Sequence, residues 1–173
     1  MLFNVYYYKF ISMNNFLFAA AENDAIANCK AGGMGDVVRD VPRQIAERGD
    51  RVHVVVPSYG RLHQNGELVA MLHFELRGMI YTAELYKVQP KKEIENIHHY
   101  VIHHPEIQAG SIAHIYHDDP EEPFFTDALK YFIFCTAVAE AIKQDAFVCP
   151  LSNRRGSFSQ VDWRPGHGGL TNG

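Results

Sequence analysis

The chain has 173 residues, 47% of them hydrophobic, 21% charged and 12% aromatic, a composition that suits one globular domain with a buried core. Lys and Arg total 16 against 20 Asp and Glu, so a net charge of −4 leaves no electrostatic footprint for nucleic acid or for an anionic membrane surface. Three cysteines at wide spacings fit neither a disulfide framework nor a CxxC metal site, and no apolar run is long enough to span a membrane, so a reducing, cytoplasmic setting is expected.

Residues 1–13 are aromatic but lack a basic region, an apolar run and a small-residue cleavage site in signal-peptide order, and they read as an added arm without function. The apolar run at 14–21 and the β-branched run at 51–56, which ends at Pro57, predict two buried strands of a parallel sheet. Between them, a loop and three glycines precede an apolar pattern at Val37, Val38, Val41, Ile45 and Ala46 that predicts a helix closed by Gly49. Pro42 inside that helix predicts a kink or a restart. Two alternating stretches within 67–88, on either side of Arg77 and Gly78, predict an antiparallel excursion. Residues 97–102 predict a further strand, and 127–143, apolar over most of its circumference, a long helix packed on more than one side. Residues 146–149 are expected to form the next parallel strand. Beyond Pro150 the periodicity is lost and 151–173 read as an irregular, glycine-rich tail. The organisation is therefore an arm at 1–13, a domain at 14–150 and a tail at 151–173, with an α/β fold: a parallel sheet with helices on both faces.

The stretch Lys30-Ala31-Gly32-Gly33-Met34-Gly35-Asp36 holds the most chemistry. Glycines at a strand-to-helix turn let backbone N–H groups approach an anion, the helix start adds unpaired donors, and the lysine adds a full charge. The competing reading is a tight turn that lets the helix pack closely on the sheet, and the glycines alone support both equally. A dinucleotide fold is disfavoured, because about ten residues separate the first strand from Gly32 and the second strand ends at Pro57, Ser58 and Tyr59 without the acid that would bond a ribose. No GK[ST] follows at P-loop spacing. His98, His99, His103, His104, His114 and His117 crowd one region, but neighbours on a strand face opposite ways, which favours structural histidines over a zinc site. A grouping of His104, His117 and Asp118 is the one metal cluster the fold would have to build. Cys29 sits beside Lys30 with no identifiable base, so nucleophilic catalysis has little support. No metal or cofactor is expected.

Five blocks carry a family resemblance: AAEN at 20–23, KAGGMGDVVRDVP at 30–42, ERGDRVHVVVPSYG at 47–60, VIHHPE at 101–106 and TDALKYFIFCTAVAEAI at 126–142. In this order they resemble the N-terminal signature of bacterial glycogen synthases and plant starch synthases, retaining glycosyltransferases of the GT-B fold. The resemblance implies a Rossmann-like N-terminal half and transfer of glucose from ADP-glucose to an α-1,4-glucan. It places Lys30 on the phosphates of the donor, makes Gly32 and Gly33 the backbone wall beside sugar and diphosphate, and sets Asp36 on the acceptor or glucose side. Such a site stabilises the charge that develops on a departing nucleoside diphosphate.

Three departures qualify the match. His103-His104-Pro105 stands where many members have Asp-His-Pro, and Asp127 and Lys130 stand where Asn and Arg are usual, so His103, His104 and Asp127 are candidates for an altered sugar side. The family's HxHDWHTG stretch has only an echo in Asp162 to His167, with Val161 in place of a histidine. The second GT-B domain, which in the family supplies the Arg, Lys and Glu that hold ADP, is expected to be missing. The chain is thus expected to be inactive alone, and the rival reading is a non-catalytic half-domain or a weak glucan or nucleotide-sugar binding module.

Overall fold

A computed structural model describes residues 13–108 and 125–147. The elements are β1 (Asn15–Ala19), α1 (Gly33–Ala46), β2 (Arg51–Pro57), β3 (Glu67–Leu76), β4 (Met79–Val88), β5 (Ile97–His103) and α2 (Phe125–Lys143). The strands form one sheet in the order β1-β2-β5-β4-β3. β1, β2 and β5 run parallel, whereas β4 pairs antiparallel with both β5 and β3. The excursion at 67–88 is therefore the far half of the same sheet. Its turn places Arg77 at φ 53° and Gly78 at φ 77°, two left-handed residues that match the twist of the flanking strands.

The faces of β2 explain its uninterrupted apolar run. Val52 and Val54 pack on Val38 and Ala46 of α1, while Val55 joins Leu72, Leu85, Ile102, Ile133 and Ala137 in the core under α2. The helices thus cover opposite faces, and a strand buried on both sides has no polar alternation to show. On the α1 side, Ile26 and Cys29 of the β1–α1 connection cover Val56, Val88 and Val101.

Several expectations change in detail. β1 is shorter than 14–21, and Phe16 is exposed, because among the described residues it has a strand neighbour only on the β2 side. α1 starts at Gly33, inside the glycine stretch, and continues through Pro42. Its buried stripe is Gly35, Val38, Pro42 and Ala46, with Val37 and Val41 exposed, so the proline packs inward at a spacing of one residue per turn. Gly49 does close the helix, at φ 94° with its N–H donating to Ala46 at 2.9 Å.

The long helix buries Lys130, Ile133, Phe134, Ala137, Val138 and Ala141 against the sheet. Phe132 and Ile142 are 56% and 52% exposed, so among the described residues α2 packs through one face rather than several. Ala146 and Phe147 form a turn after α2, and the rest of the strand expected at 146–149 lies outside the described residues. So do residues 1–12, His114, His117, Asp118 and the tail. Among the described residues no helix is long and apolar enough to cross a membrane.

Candidate functional site

In open α/β sheets, ligands lodge in the crevice beyond the carboxyl ends of the parallel strands. Here β1, β2 and β5 end in three connections that hold one another. The Tyr59 hydroxyl after β2 donates to the carbonyl of Ala21 after β1. Arg61 Nη2 donates to the carbonyl of Asn28 at 3.2 Å. Ser58 Oγ shares a hydrogen bond of 2.9 Å with His103 Nδ1 at the end of β5. Side-chain and backbone bonds therefore fix the rim of the crevice.

At the glycine stretch, Glu22 is only 2% exposed and its Oε2 accepts N–H bonds from Ala31 and from Gly32, the latter at 2.7 Å. Two donors that the sequence leaves open to an anion are held by a carboxylate of the same chain. Gly32 is the N-cap of α1, with extended backbone at φ −148°. Neither Gly32, Gly33 nor Gly35 adopts positive φ, so the reason for glycine is room. A Cβ on Gly35 would lie 3.1 Å from Lys30 Cγ and 3.3 Å from Glu22 Oε2, whereas one on Gly33 would meet nothing within 4 Å. The glycines thus differ: Gly35 is closely packed, and Gly33 borders open space.

Charges around this turn are interlinked. Lys30 Nζ lies 2.7 Å from each carboxylate oxygen of Asp36. Asp36 also lies 3.1 Å from Arg39, which binds Asp40 and Asp24, and Asp24 accepts Lys91 at 2.7 Å. Asp36 raises the pKa of the Lys30 ammonium, and Lys91, followed by Arg39, holds Asp24 below its ordinary value. Lys30 is therefore a cation throughout the neutral range. Its pair with Asp36 is solvent-exposed, which makes it weak enough for an anionic ligand to displace.

On the sugar side proposed from the motifs, the imidazole of His103 stacks on His63 with ring centres 3.6 Å apart. His63 in turn lies beside Tyr86, whose hydroxyl donates to Glu84 at 2.7 Å. Burial pushes the pKa of both stacked histidines down, so neutral rings face each other. His104 lies instead beside Tyr81, its Nδ1 accepting the N–H of Glu106 at 3.1 Å. β5 ends at His103, and alternation within it separates His98 from His99: His98 lies 5.3 Å from His53, while His99 Nδ1 bonds Asn23 Nδ2 at 3.2 Å on the other face. Among the described residues no three His, Cys, Asp or Glu side chains gather as a metal site.

Asp127 lies in the first turn of α2 and pairs with Lys130, which is 1% exposed. Lys130 Nζ sits 5.5 Å from the ring centre of Tyr59 and 5.2 Å from that of Tyr131. The structure thus gathers Lys30, Gly32, Gly33 and Asp36 at the start of α1 and puts Asp127 in the first turn of α2, with His103 beside His63 and His104 beside Tyr81. Cys29 is fully buried and its thiol is pushed up to about 11, chiefly by burial, which removes it as a nucleophile. Sequence reasoning missed Glu22, Ser58, Tyr59 and His63. Their common signal is position, since all but His63 lie within three residues of the carboxyl end of β1 or β2.

Comparison with known proteins adds the following. Residues 15–152 match the family model described as the starch synthase catalytic domain. Soluble starch synthase 2-2, chloroplastic/amyloplastic, from Oryza sativa subsp. japonica is 27% identical over 114 residues, covering 65% of this chain and 15% of that protein. A glycogen synthase from Trichodesmium erythraeum (strain IMS101) is 33% identical over 111 residues, covering 64% and 22%. A glycogen synthase from Hydrogenobaculum sp. (strain Y04AAS1) is 25% identical over 126 residues, covering 72% and 24%. The chain spans about a quarter or less of the length of these relatives.

Proposed function

From the premise that the chain belongs to the starch synthase catalytic domain family, we propose that it forms the N-terminal side of a glucosyltransferase site that takes glucose from ADP-glucose and passes it to an α-1,4-glucan. The observation that carries this reading is the position of Lys30, a partly exposed cation at the N-terminus of α1 and beyond the carboxyl end of β1. In glucosyl transfer the bond between the anomeric carbon and the diphosphate oxygen breaks, and negative charge collects on the departing ADP. Lys30 answers that charge, aided by first-turn N–H groups of α1 that no helical carbonyl can satisfy. Gly33 leaves open the approach to those donors, and Gly32 forms the wall beside it. Asp36 holds Lys30 until the diphosphate takes its place. His103 and Asp127 are assigned to the sugar and glucan side of the crevice.

The test is a titration of the 173-residue chain with ADP-glucose, in parallel with Lys30→Ala. Saturable binding that weakens about tenfold or more in the variant is expected for loss of a charge-assisted contact to phosphate. Equal binding by both proteins would sink the assignment.

A second reading, binding without transfer, is favoured on the sugar side, where His103 is stacked on His63 and bonded to Ser58. Incorporation of labelled glucose into glycogen by the purified chain separates the two. Binding with no incorporation supports the second reading, and incorporation without any partner chain excludes it.

A further inference from the structure

The motif reading leaves Glu22 without a role, yet its carboxylate is the most enclosed charged group at the turn. It follows β1, is almost wholly buried, and one oxygen takes the N–H groups of both Ala31 and Gly32. The carboxylate fills the inner side of the turn: its oxygens lie 3.6 Å and 3.3 Å from where side chains on Gly32 and Gly35 would begin. Two successive N–H groups converging on one oxygen is how a backbone nest holds an anion. The nest in this chain is already occupied from within. A diphosphate must therefore approach from the outer side, where Lys30 stands and where Gly33 has nothing within 4 Å of its missing side chain.

We propose that Glu22 is a positioning residue of the donor site: it locks the turn that carries Lys30 to the start of α1, and it directs the incoming diphosphate to Lys30 and the first-turn N–H groups instead of the inner nest. This rests on the donor-site reading above. The connection has other ties: the N–H of Asp24 to the carbonyl of Gly35 at 3.0 Å, the N–H of Asn23 to that of Cys29 at 2.7 Å, the N–H of Cys29 to that of Ile26 at 3.3 Å, and Arg61 Nη2 to the carbonyl of Asn28 at 3.2 Å. None of these engages residues 30–32, where the Lys30 ammonium is held by the exposed Asp36 but the backbone N–H groups of Ala31 and Gly32 are held by Glu22. Without Glu22, Ala31 and Gly32 lose their shared acceptor, and Lys30 loses a fixed origin.

The test compares Glu22→Gln, Glu22→Asp and Glu22→Ala in the full chain, with two readouts. The first is the amide exchange rate of Ala31 and Gly32 by NMR, and the second is affinity for ADP. Gln keeps an acceptor oxygen at the same reach, so its amides stay protected and ADP affinity stays within about threefold of the parent. Asp is one methylene too short to reach both donors, and Ala has no acceptor. Both are expected to expose the two amides at least tenfold and to weaken ADP binding about tenfold. Should Glu22→Ala not fold, Glu22→Asp carries the same comparison. Unchanged exchange in Glu22→Asp, or unaltered ADP affinity once the amides are released, overturns the proposal. A parent that ignores ADP refutes the donor reading and the steering together, while the amide rates still decide whether Glu22 locks the turn.

Discussion

Lys30 and Asp36 face each other across the first turn of α1 in a two-pronged ion pair, Nζ lying 2.7 Å from either carboxylate oxygen. The pair is exposed, so its contribution to stability is small and is screened by salt. Its consequence is for binding, since a phosphate that reaches Lys30 competes with Asp36 for the ammonium. Asp36→Asn is expected to tighten ADP binding by about two- to fivefold at low salt, the scale of an exposed ion pair, and to shift the melting temperature by less than about 2 °C. The gain should shrink as salt rises. Weaker ADP binding by this variant would mean that Asp36 orients Lys30 rather than competing for it.

Gly33 and Gly35 are two residues apart yet predict opposite outcomes. Alanine at 33 meets no atom within 4 Å and replaces glycine at the start of a helix, so Gly33→Ala should leave stability unchanged or raise it by up to about 1 kcal/mol. Alanine at 35 presses on Lys30 Cγ, on the anchored Glu22 carboxylate and on the Asp24 backbone. Crowding of this kind costs about 1–3 kcal/mol, so Gly35→Ala should melt several degrees lower. For ligand binding the order reverses in meaning. A stable Gly33→Ala protein that binds ADP-glucose severalfold more weakly places the ligand in that open space, and full affinity there would remove Gly33 from the site.

Much of this arrangement was legible in the residues. The β-branched run at 51–56 identified the central strand, and Arg77 and Gly78 located the hairpin turn, because both signals are local. The glycine stretch marked the turn into α1 for the same reason. Glu22 was hidden because its partners lie 9 and 10 residues away, across a loop whose path no periodicity describes. The inward face of α1 was misplaced because Val37 and Val41 look like core, while Gly35 and Pro42, small or rigid, pack closer to the sheet. Nothing local to Lys130 signals its burial, since Tyr59, Tyr131 and Asp127 gather around it from another loop and from its own helix.

Thiol chemistry tests the rejected nucleophile. Cys29 is enclosed by Ile26, Val56 and Val101 and held protonated at neutral pH, whereas Cys135 lies on the open face of α2. Iodoacetamide at pH 7.5 followed by peptide mass spectrometry should label Cys135 within minutes and Cys29 only after denaturation. Rapid labelling of Cys29 in the native chain would reopen its candidacy.

Two buried histidines set the acid limit of the fold. His53 and His99 are each 5% exposed, and burial, followed by repulsion from His98, lowers both to about 4. An unfolded histidine titrates near 6.5. Between these values the unfolded chain binds protons that the folded chain refuses, so stability rises with pH across this window. The contribution is complete above about pH 6.5 and is lost as pH falls towards 4, at up to about 3 kcal/mol for each histidine. Asp24, with its pKa lowered by Lys91 and Arg39, adds a loss in the same direction at still lower pH.

The two histidines are separable by their partners. His53 Nδ1 has no hydrogen-bond partner among the described residues and its ring lies among Tyr100, His98 and Phe147, so His53→Leu should match or exceed parent stability at pH 7.5. It should also flatten the slope between pH 6.5 and 4. His99 is bonded to Asn23, and His99→Leu strands that buried amide, costing about 1–3 kcal/mol at pH 7.5 while flattening the same slope. Urea unfolding of the three proteins at pH 7.5, 6 and 5 measures both effects. A parent whose stability does not change from pH 7 to pH 5 would show that neither histidine is kept neutral by burial.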